Sequence, residues 1–265
     1  MKITVFTGNQ SRHVNLINRL SSIAERVYAV QECNTVFPGL VKDFFNNTPT
    51  FQRYFKKVLE SERKVFGPIG FVNDNVHTLS IKSGDLNSLD MGVLSPALQS
   101  DYYVVFGSSF IKGELIEFLV ERKAINIHMG VSPYYRGNSC NFWAAYDGNF
   151  PFVGATIHML SKGLDSGDML FHALPKADRY AAFDLGMYAV KAAQDSLVSR
   201  IKTGEIRNFT PVRQDKSQEM RYTRNSDFND AVAEEYMESE PSPERIFSAL
   251  ENRDLSKFLS PYISE

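Results

Sequence analysis

The first 31 residues carry the pattern that most restricts the fold. Residues 2–6 alternate into a short predicted strand, which stops at Thr7-Gly8-Asn9. Apolar residues then recur at helical spacing over residues 11–25, and residues 26–31 predict a second strand. Strand, glycine turn, helix and strand in this order are typical of a βαβ unit, so the two strands are expected to be parallel with a right-handed crossover.

The same alternation continues along the chain. Five further segments have the apolar pattern of strands: residues 77–81, 102–106, 124–128, 153–160 and 169–174. Helical spacing occurs at 114–123 and 183–202. We therefore predict an α/β fold, a Rossmann-like, mostly parallel twisted sheet of about seven strands with helices on both faces.

Two regions fit this alternation less well. Residues 38–75 are rich in aromatic side chains and predict two helices and a loop, because Pro49 interrupts a helix-prone stretch. After Gly204 the composition becomes polar and charged, with helical patterns only at 226–238 and 243–251. We place a boundary near residue 205, between a core domain (1–204) and a small C-terminal extension of loops and short helices (205–265).

Composition excludes several classes of protein. The formal net charge is −2, so no overall field attracts the chain to nucleic acid or to an anionic membrane. The apolar N-terminal run is too short for a signal peptide, and no stretch approaches the ~18 apolar residues that cross a bilayer. Cys33 and Cys140 are far apart, which favours free thiols in a reducing compartment. We expect a cytoplasmic protein with no metal site.

Residues 124–170 carry the chemistry. Asn126 and His128 are two apart at the end of a predicted strand, so their side chains point to one face. The carboxyl ends of parallel strands are where such sheets bind ligands. Asp165 lies between Gly163 and Gly167 in a loop joining two predicted strands, and these glycines would let the loop approach the site closely.

An amide, an imidazole and a carboxylate suit the transfer of an acyl group to an amine. The amide N–H can stabilise a developing oxyanion, and the other two groups can move protons. No nucleophilic side chain is needed when the acyl donor is already activated. By spacing alone, however, the simpler interpretation is a histidine that caps a strand end and an aspartate in a turn, both of which are common.

The same segment resembles the folate-dependent formyltransferase family, which includes methionyl-tRNA formyltransferase, glycinamide ribonucleotide transformylase and the sugar N-formyltransferases. The motifs stand in family order as Asn126-Ile127-His128, Pro133-Tyr134-Tyr135-Arg136-Gly137, Gly154-Ala155-Thr156-Ile157-His158 and Leu164-Asp165-Ser166-Gly167. One departure is that the usual Ser-Leu-Leu after the histidine is Gly130-Val131-Ser132.

This resemblance implies a site and a co-substrate. Asn126, His128 and Asp165 match the catalytic triad of the family, and the implied formyl donor is 10-formyltetrahydrofolate. The resemblance places the donor against the loops after the strands at 102–106 and 153–160. The residues expected to bind it are Gly107, Ser108, Ser109, Phe110, Ile111, Ser161 and Leu164.

Four residues are candidates for binding the acceptor. Gly8 and Asn9 look like the phosphate loop of glycinamide ribonucleotide transformylase, although a plain βα turn is also common there. Arg136 could hold a phosphate or could anchor its turn. His158 matches a family position beside the site, but a buried structural histidine has the same pattern.

The C-terminal extension guides the choice of acceptor. It is shorter than the β-barrel of the transfer-RNA enzymes and has no clustered Lys and Arg for phosphate contacts. We therefore expect a nucleotide-linked amino sugar as acceptor, with small-molecule partners, no nucleic acid and no membrane. A homodimer is one option for the assembly of the chain. The alternatives are a glycinamide ribonucleotide transformylase, a formyltetrahydrofolate hydrolase, or a non-catalytic folate- or nucleotide-binding module.

Overall fold

The computed structural model describes residues 1–35 and 48–264, and an eight-stranded sheet runs through it. The strands are β1 Lys2–Thr7, β2 Arg26–Cys33, β3 Val76–Lys82, β4 Tyr102–Phe106, β5 Ile125–His128, β6 Tyr135–Gly137, β7 Ala155–Met159, β8 Met169–Leu174, β9 Arg221–Thr223 and β10 Tyr262–Ile263. The order in the main sheet is β10-β8-β7-β5-β4-β1-β2-β3, and β6 pairs with β9 in a separate ribbon.

The helices pack around this sheet. Their bounds are α1 Ser11–Ser21, α2 Pro49–Phe66, α3 Met91–Leu94, α4 Gly113–Glu121, α5 Cys140–Tyr146, α6 Ala182–Thr203, α7 Asp230–Glu238 and α8 Pro243–Glu251. Leu16, Ile17 and Leu20 of α1 are fully buried against β1, whereas Leu115 and Leu119 of α4 pack in a second cluster with Phe6. The α/β fold predicted from the sequence is confirmed.

The predicted βαβ unit is present, since β1 and β2 are parallel with Lys2 beside Arg26. Five neighbouring pairs in the main sheet are parallel. Strand β7 runs antiparallel to both β5 and β8. The sheet has one strand more than the predicted seven because β10, from the C-terminal extension, pairs with Ala173 and Leu174.

Pro49 starts a helix. It stands in the first turn of α2, where no backbone N–H is needed, and Thr48 caps that turn by accepting from the Phe51 N–H at 3.3 Å. The first of the two helices predicted over 38–75 falls on residues 36–47, which lie outside the described residues.

The segment after Gly204 packs closely on the rest of the chain. Its two predicted helices are confirmed as α7 and α8. Ile246, Leu250 and Phe258 share one apolar cluster with Trp143 and Leu185. The division at residue 205 stays a prediction. Within the described ranges, no helix is long and apolar enough to cross a membrane.

Candidate active site

A cavity of about 490 Å³ opens where β1, β4 and β5 end. All three strands are parallel, so their carboxyl ends meet at this edge. Asn126 and His128 of β5 form one wall, and Asp165 reaches the same wall from the loop between β7 and β8. The sequence prediction that these three side chains meet is therefore confirmed as geometry.

The three side chains form a connected set. Asp165 Oδ2 lies 3.2 Å from His128 Nδ1, and Asp165 Oδ1 accepts a hydrogen bond from Asn126 Nδ2 at 3.1 Å. Asn126 and His128 are each 8% exposed, whereas the side chain of Asp165 is 25% exposed and faces the cavity. A carboxylate that holds an amide and an imidazole in fixed orientations is suited to proton transfer at an adjoining ligand.

His158 lies behind Asn126 on the neighbouring strand β7. Its Nδ1 donates to the Met159 carbonyl at 2.8 Å, which leaves Nε2 to accept from Asn126 Nδ2 at 2.9 Å. The side chain is 1% exposed, although it borders the cavity. Its contacts thus fix the orientation of the Asn126 amide, while a direct contact with substrate stays a prediction.

Electrostatic coupling favours the charged forms of His128 and Asp165. Burial by itself would lower the pKa of His128, but the hydrogen bonds with Asp165 and Cys140 outweigh it and raise that pKa. Burial would raise the pKa of Asp165, but the hydrogen bond with His128 outweighs it and holds that pKa well below its ordinary value. The pair therefore carries opposite charges near neutral pH.

The loop that carries Asp165 is tightly shaped. Asp165 has a φ of 44°, in the left-handed region that few residues other than glycine adopt. A Cβ at Gly167 would lie 1.7 Å from the Met159 carbonyl oxygen, so this position needs glycine. Gln214, from the C-terminal extension, donates to the carbonyls of Asp165 and Gly167 at 2.8 and 2.9 Å.

The loop after β4 forms the opposite wall. Gly107 has a φ of 69°, and a Cβ there would lie 2.4 Å from the ring of His13. The buried carboxylate of Glu32 accepts from the Ser109 backbone N–H at 2.5 Å and from its hydroxyl at 2.8 Å. Every residue that the sequence assigned to the folate donor borders this cavity: Gly107, Ser108, Ser109, Phe110, Ile111, Ser161 and Leu164.

The predicted acceptor residues are more scattered. Gly8 borders the cavity, but Asn9 turns away and exchanges two hydrogen bonds with the backbone of Asn34. Arg136 borders an adjoining cavity of about 80 Å³ that also contacts His128 and Asp165. Its guanidinium is paired with Glu219 at 2.8 Å, so it anchors its turn to the C-terminal extension.

Three residues at the site had no place in the sequence prediction. They are Glu32 behind the Ser109 loop, Gln214 behind the Asp165 loop, and Cys140, whose sulfur lies 3.5 Å from His128 Nε2. No local pattern indicates the first two. Cys140 stands twelve residues after His128, so its contact could have been considered. In the part of the chain that the structure describes, no group of three or more His, Cys, Asp or Glu could hold a metal ion.

Comparisons with known proteins show the family of this chain. The family model described as formyl transferase matches residues 1–182. The chain therefore belongs to the formyl transferase family.

Individual relatives align over part of their length. A methionyl-tRNA formyltransferase of Anaeromyxobacter sp. (strain K) is 31% identical over 131 residues, which is 48% of this chain and 42% of that enzyme. This chain thus spans less than half the length of the curated relatives that it matches.

Two solved structures share the fold. A 4-N formyltransferase from Francisella tularensis is 18% identical, with a TM-score of 0.51, over 86% of this chain and 77% of that one. An N-formyltransferase from Helicobacter canadensis, solved with folinic acid and dTDP-3-aminofucose, is 13% identical with a TM-score of 0.50. That match covers 93% of this chain and 81% of the other.

Proposed function

We propose that this chain is an N-formyltransferase that moves the formyl group of 10-formyltetrahydrofolate to the primary amine of a nucleotide-linked amino sugar. One observation supports the reaction above all others. Asn126, His128 and Asp165 form a bonded set on one wall of a cavity whose other wall is the Gly107–Ile111 loop. A formyl donor bound against that loop would present its reacting carbon to the set.

The transfer needs no covalent enzyme intermediate. The amine nitrogen attacks the formyl carbon, a new C–N bond forms, and the bond from that carbon to N10 of the folate breaks. One proton leaves the amine and one reaches N10. Asp165 and His128 are placed to accept the first proton and to return one to the leaving nitrogen.

Asn126 is the candidate for stabilising the oxyanion. Its two N–H hydrogens already have acceptors, on His158 Nε2 and Asp165 Oδ1. The bond to His158 can stay, whereas the one to Asp165 would have to exchange for the formyl oxygen when the donor binds. This exchange also frees an oxygen of Asp165 for the amine.

The second part of the proposal is that the acceptor is a nucleotide-linked amino sugar. The N-formyltransferase from Helicobacter canadensis was solved with a nucleotide-linked amino sugar, and the net charge of −2 does not favour a polyanion such as transfer RNA. The relatives matched by sequence, in contrast, are methionyl-tRNA formyltransferases. A cytoplasmic location and a homodimer remain predictions.

A panel of acceptors tests this proposal. Release of tetrahydrofolate from 10-formyltetrahydrofolate is measured with nucleotide-linked 3-amino and 4-amino sugars, glycinamide ribonucleotide, methionyl transfer RNA, or water alone. Asp165→Asn serves as the inactive control. We expect release with one of the amino sugars and none with the others. Release with water alone would indicate a hydrolase, and binding of folate without release in any arm would indicate a non-catalytic module.

A further inference from the structure

The thiol of Cys140 lies against the catalytic imidazole, although the proposed reaction needs no nucleophile. Cys140 is the first residue of α5 and is 2% exposed. Its sulfur is 3.5 Å from His128 Nε2 and 3.4 Å from the carbonyl oxygen of Gly137. A thiol can donate one hydrogen bond and accept others, so each of these contacts can be a hydrogen bond.

The backbone leaves a space for this thiol. A Cβ added at Gly130 would lie 2.4 Å from the Cβ of Cys140 and 2.9 Å from His128 Nε2, closer than real side chains come. The thiol of Cys140 can therefore lie against His128 only because residue 130 has no side chain.

The two neighbours of the sulfur suit both protonation states of His128. Because Nδ1 is held by Asp165, the proton can come and go at Nε2. When the ring is neutral, Nε2 accepts from the S–H group. When the ring is charged, Nε2–H donates to the sulfur, and the S–H group turns to the Gly137 carbonyl. In either state Nε2 keeps the sulfur as its partner, and a buried ring nitrogen without a partner would weaken that state.

We propose that Cys140 is a positioning residue for His128, whose thiol pairs with Nε2 in both protonation states and so keeps Nδ1–H directed at Asp165. The expected effect of Cys140 on catalysis rests on the proposed function. Its effect on the orientation of the His128 ring does not, because that orientation can be measured without any substrate. The titratable groups that face the ring are Asp165, His158 and Cys140, and Arg136 borders the small cavity beside it.

Two substitutions separate hydrogen bonding from packing. Cys140→Ser keeps a group that both donates and accepts, whereas Cys140→Ala keeps only the Cβ. Cys33→Ala, at the end of β2, is the matched cysteine control. We expect Cys140→Ala to lower kcat about tenfold and to shift its pH profile, with KM for both substrates within about twofold, because one state of His128 loses its partner. Cys140→Ser should stay within about threefold of the wild type with an unchanged profile.

Nitrogen NMR of ¹⁵N-histidine-labelled protein gives a readout that does not depend on activity. Wild type and Cys140→Ser should show His128 protonated at Nδ1 across the pH range. At pH values high enough to make the ring neutral, Cys140→Ala should show a mixture of tautomers. If the alanine variant matches the wild type in tautomer and pH profile, the inference is wrong. It is equally wrong if the serine variant is as impaired as alanine, since packing alone would then explain the loss. Absence of formyl transfer with every acceptor would instead reject the proposed function. The NMR result would then decide by itself whether Cys140 positions His128.

Discussion

Asp165 has a left-handed backbone conformation, and its carboxylate contacts the other two residues of the candidate catalytic set. A left-handed conformation costs a non-glycine residue roughly 1 kcal/mol, and asparagine and aspartate tolerate it best. The conformation turns the carboxylate toward both His128 and Asn126 at once. The requirement for aspartate at this position is thus set jointly by the loop and by the two partners.

Asp165→Asn keeps the shape and removes the charge. Because asparagine accepts the same backbone conformation, we expect the thermal melting temperature to stay within about 5 °C. The rate should fall roughly a hundred- to ten-thousand-fold, the usual contribution of general acid–base catalysis. Steady-state kinetics, a melt and a folate titration check this together. A near-normal rate would remove Asp165 from the mechanism, and a collapsed melt would make its role structural.

At the scale of the structural elements, two loops form the walls of the site: the loop at Ser109 and the loop at Asp165. Each loop is fixed by a side chain that lies far from it in the sequence. The Ser109 loop is fixed by Glu32 on β2, 77 residues earlier, and the Asp165 loop by Gln214, 49 residues later. Neither loop has a regular hydrogen-bonding pattern of its own to fix its shape. The geometry of both walls therefore depends on buried side chains that contact backbone groups.

Glu32→Gln tests the first of these contacts. The Glu32 carboxylate accepts from Gly84 N at 2.8 Å and from two groups of Ser109, and an amide can satisfy only part of this set. We expect the affinity for the folate donor to fall about tenfold, with kcat at saturating donor within about twofold. Glu114→Gln, on the exposed first turn of α4, is the control. An unchanged donor affinity in equilibrium binding would contradict this role.

The separation of contacting residues along the sequence explains which parts of the fold and of the site could be predicted from the sequence. Strand and helix periodicity is local, and Asn126 and His128 share a strand, so their common direction follows from the chain itself. Asp165 could be assigned because its motif lies near theirs in sequence. Glu32 and Gln214 act across long separations on backbone atoms, which leave no pattern in the sequence. The extra strand β10 has only two residues, too few for any period to be detected.

At the scale of the whole molecule, the buried histidine His172 links the C-terminal extension to the sheet. His172 of β8 accepts from the Leu259 N–H at 2.9 Å, and its Nε2 donates to the Ser132 carbonyl at 2.8 Å. Burial lowers the pKa of His172 to about 4 against the weaker opposing effect of the Ser132 hydrogen bond. The folded protein therefore holds this ring neutral at pH values where an unfolded chain would protonate it.

This difference predicts a loss of stability in mild acid. The unfolded histidine binds its proton near pH 6.5, so the free energy of unfolding should fall as the pH drops from about 6.5 to about 4. The slope from one proton is at most about 1.4 kcal/mol per pH unit. In His172→Gln, urea unfolding at several pH values should give a smaller slope over this range. His77→Gln, on the exposed side of β3, should keep the wild-type slope, and an equal slope in both variants would refute the assignment.

The two hydrogen bonds from Gln214 to the Asp165 loop should also affect the entropy of ligand binding. Two hydrogen bonds from outside the loop restrict its motion before any ligand arrives, so the ordering cost falls on folding and not on binding. Calorimetry of folate binding should show this directly. Gln214→Ala should make the binding entropy more unfavourable by roughly 1–2 kcal/mol in TΔS, because one or two loop residues must then be ordered by the ligand. An unchanged entropy would mean that the glycines and the sheet alone fix the loop, and that the C-terminal extension stabilises the fold without preorganising the catalytic carboxylate.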